Sequence, residues 1–260
     1  MSAAEIFSVQ GKVAFVTGAG SGLGRALAES MAENGANVAG FDLYPDGLQE
    51  TRRLCEAVGA KVVTIVGDVS DKVAVEAAVE RTVAELGRLD IAFANAGIGD
   101  PEPGLLHEYD DANWKKVVDV NLNGVFYTDR AALRQMMRQG AGKIINIASM
   151  WGLAGASSVF PIPAYNATKG AVVNLTREMA LQWARKGVRV NALCPGWFPS
   201  EMTAGMEQPD GGLKWIQNNG PMPRMGEAQE LDGPLLLLCS DASTFMTGHS
   251  LVVDGGWLAR

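Results

Sequence analysis

The sequence has few of the residues that build disulfide frameworks or metal sites. Its 260 residues include three cysteines (Cys55, Cys194 and Cys239) and two histidines (His107 and His249). The cysteines are odd in number and widely spaced, which argues against a disulfide framework and fits a reducing compartment. We expect neither disulfides nor a bound metal ion.

Positive charge and long apolar runs are also scarce. Lys and Arg number 22 against 29 Asp and Glu, a net charge of −7, and no basic run of five residues occurs. We therefore expect no nucleic acid or membrane partner. The apolar run near Leu235–Cys239 is too short to cross a bilayer, and Met1–Gln10 contains no long apolar stretch of the secretory type. These features predict a cytoplasmic protein.

Glycine, by contrast, is abundant, with 31 residues spread along the chain between short apolar segments and helical ones. The predicted strands are Lys12–Thr17, Asn37–Phe41, Lys61–Val66, Leu89–Ala94, Lys143–Ala148, Val188–Leu193 and Leu251–Val253. The predicted helices are Leu23–Glu33, Asp46–Val58, Asp71–Leu86 (with Ser70 as its N-cap), Asp111–Arg138, Ala164–Lys186 and Glu227–Cys239. Strands that are apolar throughout are buried on both faces. The pattern predicts an α/β fold with a seven-stranded parallel sheet and helices on both faces.

A glycine-rich turn follows the first predicted strand and opens the first helix. Thr17–Gly24 reads TGAGSGLG, with glycines at Gly18, Gly22 and Gly24. Small residues let the backbone approach a pyrophosphate, and the helix N-terminus supplies free N–H groups. The segment therefore predicts a dinucleotide site, with a tight strand-to-helix turn as the alternative.

Asp42 ends the second strand, where an acid accepts hydrogen bonds from a ribose diol and repels a 2′-phosphate. No Lys or Arg occurs in Ala19–Leu23 or in Phe41–Asp46. These features predict NAD(H) rather than NADP(H). The alternative role for Asp42 is that of a helix-capping residue.

Further motifs follow in a fixed order along the chain: Asp68-Val69, Asn95-Ala96-Gly97, Asn121, Ser149, Tyr165-Asn166-Ala167-Thr168-Lys169 and Pro195-Gly196. With the glycine-rich turn, they make the sequence resemble the classical short-chain dehydrogenase/reductase family over essentially its whole length. The resemblance implies a single Rossmann-type, doubly wound domain over residues 1–260. It also implies hydride transfer between a nicotinamide and a secondary alcohol or ketone.

The resemblance implies roles for individual residues. The catalytic tetrad would be Asn121, Ser149, Tyr165 and Lys169. The cofactor-binding residues would be Gly18, Ser21, Gly22, Leu23, Gly24, Asp42, Asp68, Val69, Asn95, Ala96, Gly97, Tyr165, Lys169, Pro195 and Gly196. Asp68 and Val69 would lie at the adenine, and Asn121 would help to hold a water that links Lys169 to solvent.

The chemistry suits these residue types. A free phenol has a pKa near ~10, too high for efficient acid–base work at neutral pH. Lys169 lies four residues after Tyr165, which places both side chains on one helix face. Its ammonium would lower the phenol pKa, and the Ser149 hydroxyl would donate to the substrate oxygen.

The substrate is less well specified. The gap between Ser149 and Tyr165 is slightly longer than is usual in the family, so Gly152–Pro163 forms a long apolar loop. An irregular stretch over about 195–223 would line the substrate. The candidate substrate-binding residues are Met150, Trp151, Phe160, Trp197 and Phe198, with Met202 and Met206 beyond, although some are alternatively core residues.

The first interpretation is a cyclic, aromatic or aliphatic alcohol–ketone pair. The alternative is a polyol or sugar-acid dehydrogenase, because Val252–Arg260 and Lys143–Met150 resemble those of sugar-acid members. A non-catalytic NAD(H)-sensing protein is the alternative of another class. The helices Asp111–Arg138 and Ala164–Lys186 are apolar around much of their circumference, and family members pair such helices, so we expect a homotetramer.

Overall fold

The structure is a computed structural model that describes residues 2–156, 161–206 and 212–259. The strands are β1 (Val13–Thr17), β2 (Asn37–Asp42), β3 (Val62–Val66), β4 (Ile91–Ala94), β5 (Gly142–Ile147), β6 (Val188–Pro195) and β7 (Ser250–Val253). The α-helices are α1 (Ala3–Ile6), α2 (Gly22–Glu33), α3 (Pro45–Ala57), α4 (Lys72–Leu86), α5 (Asp111–Val118), α6 (Gly124–Gln139), α7 (Pro163–Trp183), α8 (Gly212–Asn219) and α9 (Asp232–Cys239).

The seven strands form one parallel sheet in the order β3-β2-β1-β4-β5-β6-β7. The chain first builds outward from β1 to β3 and then crosses back, so that β4 pairs with β1 on its other side. The strand order reverses between β1 and β4, and a crevice opens at that point beyond the carboxyl ends of the strands. The predicted Rossmann-type fold is confirmed.

Helices cover both faces of the sheet. On one face, apolar side chains of α2, α3 and α9, such as Leu27, Leu48 and Leu235, pack against the strands. On the other face, α4, α6 and α7 contribute residues such as Val75 and Met136. All five residues of β1 are buried, as expected for a central strand without polar alternation.

Two predictions about where helices begin were wrong in detail. The N-cap of α4 is Asp71, whose carboxylate accepts from the N–H groups of Val73 and Ala74. Ser70 lies one residue earlier, because two adjacent residues with capping side chains compete for one position. The predicted helix Glu227–Cys239 begins as a 3₁₀ turn over Ala228–Leu231, and only then continues as α9.

The predicted single helix Asp111–Arg138 is interrupted. A π-helical turn, Asp119–Asn123, separates α5 from α6. The stretch 195–223 also differs from the prediction, because it contains a 3₁₀ turn, Glu201–Thr203, and the helix α8. In the described part of the chain, no helix is both long enough and apolar enough to span a membrane.

Candidate active site

A cavity of about 1100 Å³ opens along the carboxyl edge of the sheet. Loops that follow β1 to β6 line it, which is where open α/β sheets bind ligands. Every residue assigned above to cofactor binding lines this cavity, and so does Ser149. The fold therefore brings the sequence motifs from six separate loops into one site.

The glycine-rich turn packs too tightly for side chains. A Cβ atom at Gly24 would lie 1.8 Å from the carbonyl oxygen of Gly18. Gly18 and Gly22 have φ angles of +69° and +49°, which favour glycine. Helix α2 begins at Gly22, and the side chain of its N-cap, Ser21, makes no capping hydrogen bond. The first-turn N–H groups therefore form a cradle that fits a pyrophosphate.

Asp42 is held in place by the backbone. Its carboxylate accepts from the N–H of Gly20 at 2.8 Å and from the N–H of Tyr44 at 3.0 Å. A Cβ at Gly20 would lie 2.9 Å from the Asp42 carboxyl carbon. Gly20 is therefore a site residue that the motif reading missed, since its role appears only once the two strands pair.

Asp68 and Val69 follow β3 at the far end of the cavity. The carboxylate of Asp68 accepts from the N–H of Ser70 at 2.8 Å. A Cβ at Gly124, the first residue of α6, would lie 2.9 Å from Val69. The start of α6 thus packs closely against Val69 and limits where its side chain can lie. The predicted role of Asp68 and Val69 at the adenine stays a prediction.

Thr17 ties the glycine-rich turn to the Asn95-Ala96-Gly97 segment. Its hydroxyl accepts from the N–H groups of Asn95 (3.0 Å) and Ala96 (3.1 Å). The Asn95 amide donates in turn to the Thr17 carbonyl at 2.8 Å. These bonds cross the gap between the ends of β1 and β4, so Thr17 is a second residue with a structural role in the site that the sequence alone did not identify.

Ser149 and Tyr165 meet at the centre of the cavity. Ser149 follows β5, Tyr165 lies in the first turn of α7, and their side chains are hydrogen-bonded. Burial raises the pKa of Tyr165, the Ser149 hydroxyl lowers it, and the carboxylate of Asp100 raises it further. The net shift is opposite to the one expected from Lys169 alone, because burial dominates.

Lys169 lies beneath the tyrosine. Its Nζ donates to the carbonyl of Ile147 at 2.7 Å and lies 5.6 Å from the centre of the Tyr165 ring. Burial lowers the pKa of the Lys169 ammonium to about 8. An amine with such a pKa exchanges protons readily near neutral pH.

Asn121 occupies the π-helical turn rather than a regular helix. Its side chain is fully buried, accepts from the Ile98 N–H and donates to the Ile98 carbonyl, both at 2.8 Å. A Cβ at Gly97 would lie 3.3 Å from the Asn121 side-chain oxygen and 3.5 Å from Lys169 Nζ. Asn121 thus positions the loop beside Lys169 without lining the cavity itself, and its predicted water-holding role stays a prediction.

Large apolar side chains that are predicted to bind the substrate form part of the cavity wall. Met150, Trp151, Trp197 and Phe198 all line it, and Phe160 lies outside the described residues. Met150, Trp151 and Phe198 are nevertheless almost fully buried, so they act as packed wall and core together. Met202 and Met206 line the same cavity.

A cluster of four tryptophans backs this wall. The ring of Trp257 lies 6.1 Å from Trp151, 6.0 Å from Trp197 and 5.0 Å from Trp215. Trp215 belongs to α8, and Trp257 lies beyond β7. The wall is therefore assembled from four separate segments, which no local pattern connects.

Within residues 2–156, 161–206 and 212–259, no group of three or more His, Cys, Asp or Glu side chains is placed to hold a metal ion. The polar centre of the cavity consists instead of the Ser149–Tyr165–Lys169 cluster. Such a cluster provides a hydrogen-bond donor, a titratable phenol and a buried amine. Together these groups can transfer a proton to or from an oxygen atom.

Comparisons with known proteins agree with this geometry. A family model described as enoyl-(acyl carrier protein) reductase matches residues 18–258. The 2-dehydro-3-deoxy-D-gluconate 5-dehydrogenase of Dickeya dadantii (strain 3937) is 39% identical over 98% of each chain. A short-chain type dehydrogenase/reductase from Mycobacterium marinum is 35% identical, with a TM-score of 0.94 over 100% of each chain. A gluconate 5-dehydrogenase from Burkholderia cenocepacia J2315, solved in complex with NADP and tartrate, is 35% identical, with a TM-score of 0.92 over 100% of each chain. On the evidence of its fold, its site and these relatives, the chain is an oxidoreductase that belongs to the short-chain dehydrogenase/reductase family.

Proposed function

We propose that this chain is an NAD(H)-dependent enzyme that interconverts a secondary alcohol and its ketone. The observation that carries the proposal is the meeting of Ser149, Tyr165 and Lys169 in the same cavity as the glycine-rich turn. A nicotinamide bound there would accept or give the hydride. The residues that would hold it are the turn over Thr17–Gly24, Asp42, and the loops after β3, β4 and β6.

The preference for NAD(H) rests on Asp42. Its carboxylate lies against the glycine-rich turn, where a fixed negative charge accepts from ribose hydroxyls and repels a 2′-phosphate. The relative from Burkholderia cenocepacia was solved with NADP. The preference for NAD(H) is therefore proposed for this chain alone, on the evidence of Asp42, and is not carried over from that relative.

The chain's own residues would manage the proton. In oxidation, Tyr165 would remove the proton from the hydroxyl oxygen while a hydride passes from the carbon that bears this hydroxyl to the bound nicotinamide. In reduction, the hydride would return to that carbon and Tyr165 would return the proton to the oxygen. Ser149 donates a hydrogen bond to the substrate oxygen and fixes its position. The positive charge of Lys169 favours the phenolate when Tyr165 gives up its proton.

For the substrate, we propose a polyhydroxy compound, namely a sugar acid or a polyol. The names of the relatives from Dickeya dadantii and Burkholderia cenocepacia support this class over an apolar ketone. The carboxylate of Asp100, which accepts from the N–H of Tyr165 and lines the cavity, would repel a substrate carboxylate held beside the phenol, and this favours a neutral member of the class.

A second candidate is a cyclic, aromatic or aliphatic alcohol–ketone pair. The observation that favours it is the wall of Met150, Trp151, Trp197 and Phe198. An apolar ring would bury its surface there, and a sugar would stack its C–H face on the same indoles.

One experiment separates these candidates. Purified protein is assayed with sugar acids, neutral polyols, and cyclic, aromatic and aliphatic alcohols and ketones, each with NAD(H) and NADP(H). Turnover of polyols or sugar acids with NAD(H), lost in Tyr165→Phe, supports the proposal. Turnover confined to apolar compounds favours the second candidate. NADH binding without turnover of any compound favours an NAD(H)-sensing protein.

We also propose that the chain assembles as a homotetramer. Apolar side chains remain exposed on α6 (Phe126, Met137), on α7 (Leu181) and on the edge strand β7 (Val252). Burial of such side chains between copies is a common source of closed symmetric assemblies. A single monomeric species in sedimentation at micromolar concentration would overturn this proposal.

A further inference from the structure

We propose that Asp100 is a positioning residue for the proposed reaction: its carboxylate caps the first turn of the helix that carries Tyr165 and places a negative charge beside that residue. The proposal rests on the function assigned above to Tyr165.

The first part of the argument is the start of α7. The helix opens at Pro163, and its N-cap residue, Ile162, has no polar side chain to accept from the first-turn N–H groups. The carboxylate of Asp100 accepts from the N–H of Tyr165 at 2.8 Å and from the N–H of Ala164 at 3.3 Å. A residue in the loop after β4 thus supplies the cap that the helix itself lacks.

The second part is placement. Asp100 is 7% exposed and lines the cavity beside Tyr165. A carboxylate at a helix N-terminus interacts favourably with the helix dipole, and here it lies beside the residue that carries the phenol. The capping contact therefore fixes both the orientation of Tyr165 and the electrostatic field in which its hydroxyl titrates.

The third part is the set of charges that share the cavity with Tyr165. Lys169 lies one turn further along α7, and Ser149 hydrogen-bonds the phenol from the end of β5. The other charged residues that line the cavity are Asp42, Asp68, Lys115, Lys116, Asp119 and Glu201. The carboxylate of Asp100 raises the pKa of Tyr165, alongside burial. The same carboxylate also interacts with Tyr109, and burial and Asp100 together raise the pKa of that tyrosine.

Asp100→Asn tests the charge while keeping an oxygen that can accept from the Tyr165 N–H. Glu201→Gln is the matched control, because it neutralises another carboxylate at the same cavity. The pH dependence of kcat/KM for alcohol oxidation is measured for both variants. We expect the apparent pKa to fall by about half a unit or more in Asp100→Asn and to stay unchanged in Glu201→Gln. Asp100→Ala, which also loses the cap, should reduce kcat across the whole pH range.

A measurement that needs no turnover separates this proposal from the function itself. Protein labelled with ¹³C at the tyrosine Cζ is titrated by NMR, with and without NAD⁺, and Tyr165→Phe identifies the signal. A lower pKa of Tyr165 in Asp100→Asn supports the proposal even if no substrate of the panel is turned over. Identical titration curves for the unmodified protein and Asp100→Asn would overturn it, whatever the activity.

Discussion

The Nζ atom of Lys169 lies 5.6 Å from the centre of the Tyr165 ring and donates to the carbonyl of Ile147 at 2.7 Å. The amine is thus anchored to the end of β5, the same strand end that Ser149 follows. The sheet, rather than the helix alone, therefore fixes the spacing between the amine and the phenol.

This arrangement predicts that Tyr165→Phe lowers kcat by about 10²- to 10⁴-fold, because the proton donor and acceptor is removed while the ring remains. NADH binding should persist, because the glycine-rich turn and Asp42 would still hold the cofactor. Tyr127→Phe, in α6 and away from the cavity lining, is the control and should keep full activity. Steady-state kinetics and NADH fluorescence titration measure the two effects. Undiminished turnover in Tyr165→Phe would remove Tyr165 from the mechanism.

Asp42→Ala should relax cofactor discrimination. The substitution removes the charge that would repel a 2′-phosphate, and we expect the NAD-to-NADP ratio of kcat/KM to fall by about tenfold or more. Asp71→Ala, which removes the cap of α4 instead, is the matched control and should leave that ratio unchanged while lowering the melting temperature. An unaltered ratio in Asp42→Ala would show that another residue reads the ribose.

Gly24→Ala should weaken cofactor binding and stability together. The added methyl group would lie 1.8 Å from the Gly18 carbonyl oxygen, so the turn must open. Gly233→Ala is the control: Gly233 lies in α9, and outside its chain neighbours and its own helix backbone no atom lies within 4 Å of the added Cβ, so the substitution should be neutral or stabilising by up to about 1 kcal/mol. Calorimetry gives the affinity for NADH, and thermal denaturation gives the stability. Wild-type NADH affinity in Gly24→Ala would contradict the assignment of the turn.

Some of this site follows from sequence and some does not. The pair Tyr165 and Lys169 is readable because one helix brings residues four apart together. The role of Asp100 cannot be read from the sequence, because its partners Ala164 and Tyr165 lie 64 and 65 residues further along the chain. The π-helical turn also escapes detection, since apolar residues continue through it at nearly helical spacing.

The tryptophan cluster predicts a selective effect on substrate. Trp257→Ala should raise KM for the substrate, because the rings of Trp151 and Trp197 lose the surface against which they pack. Such truncations of buried aromatics cost about 3–5 kcal/mol of stability, so Trp257→Phe serves as the milder variant. Trp183→Ala, at the end of α7, is the control for the loss of a tryptophan outside this cluster, and it should leave KM unchanged. Unchanged KM in both Trp257 variants would show that the positions of Trp151 and Trp197 in the cavity wall do not depend on packing against Trp257.

Asp129 predicts that the stability of the fold falls as the pH rises from about 4 to about 8. It is buried in α6, and burial raises its pKa to about 8, partly offset by Asn146. Among the described residues, neither its carboxylate oxygens nor the Asn146 side-chain oxygen has a well-formed hydrogen-bond partner. A protonated Asp129 can donate to that oxygen, whereas the ionised form leaves a buried charge.

Between about pH 4 and 8 the folded state therefore binds a proton that the unfolded state has released, and stability falls as pH rises through this window. Asp129→Asn removes this term, so we expect it to stabilise the protein by on the order of a few kcal/mol at pH 8.5 and hardly at all at pH 4. Asp241→Asn is the control: the ion pair with Lys143 lowers the pKa of Asp241, so no such gain should appear. Urea denaturation at the two pH values measures both. Equal effects of Asp129→Asn at both would contradict the assignment.

The π-helical turn Asp119–Asn123 constrains how many residues this part of the chain contains, and not only which residues they are. Each residue of an α-helix turns its successor by about 100°, and a π-turn holds one residue more than a regular turn. Removing a single residue there would restore a regular helix, but it would either rotate the buried face of α6 away from the sheet or carry Asn121 away from Ile98. The packing of α6 and the contact between Asn121 and Ile98 thus both depend on the number of residues in this turn, so we expect an insertion or deletion at these five positions to disrupt one or the other.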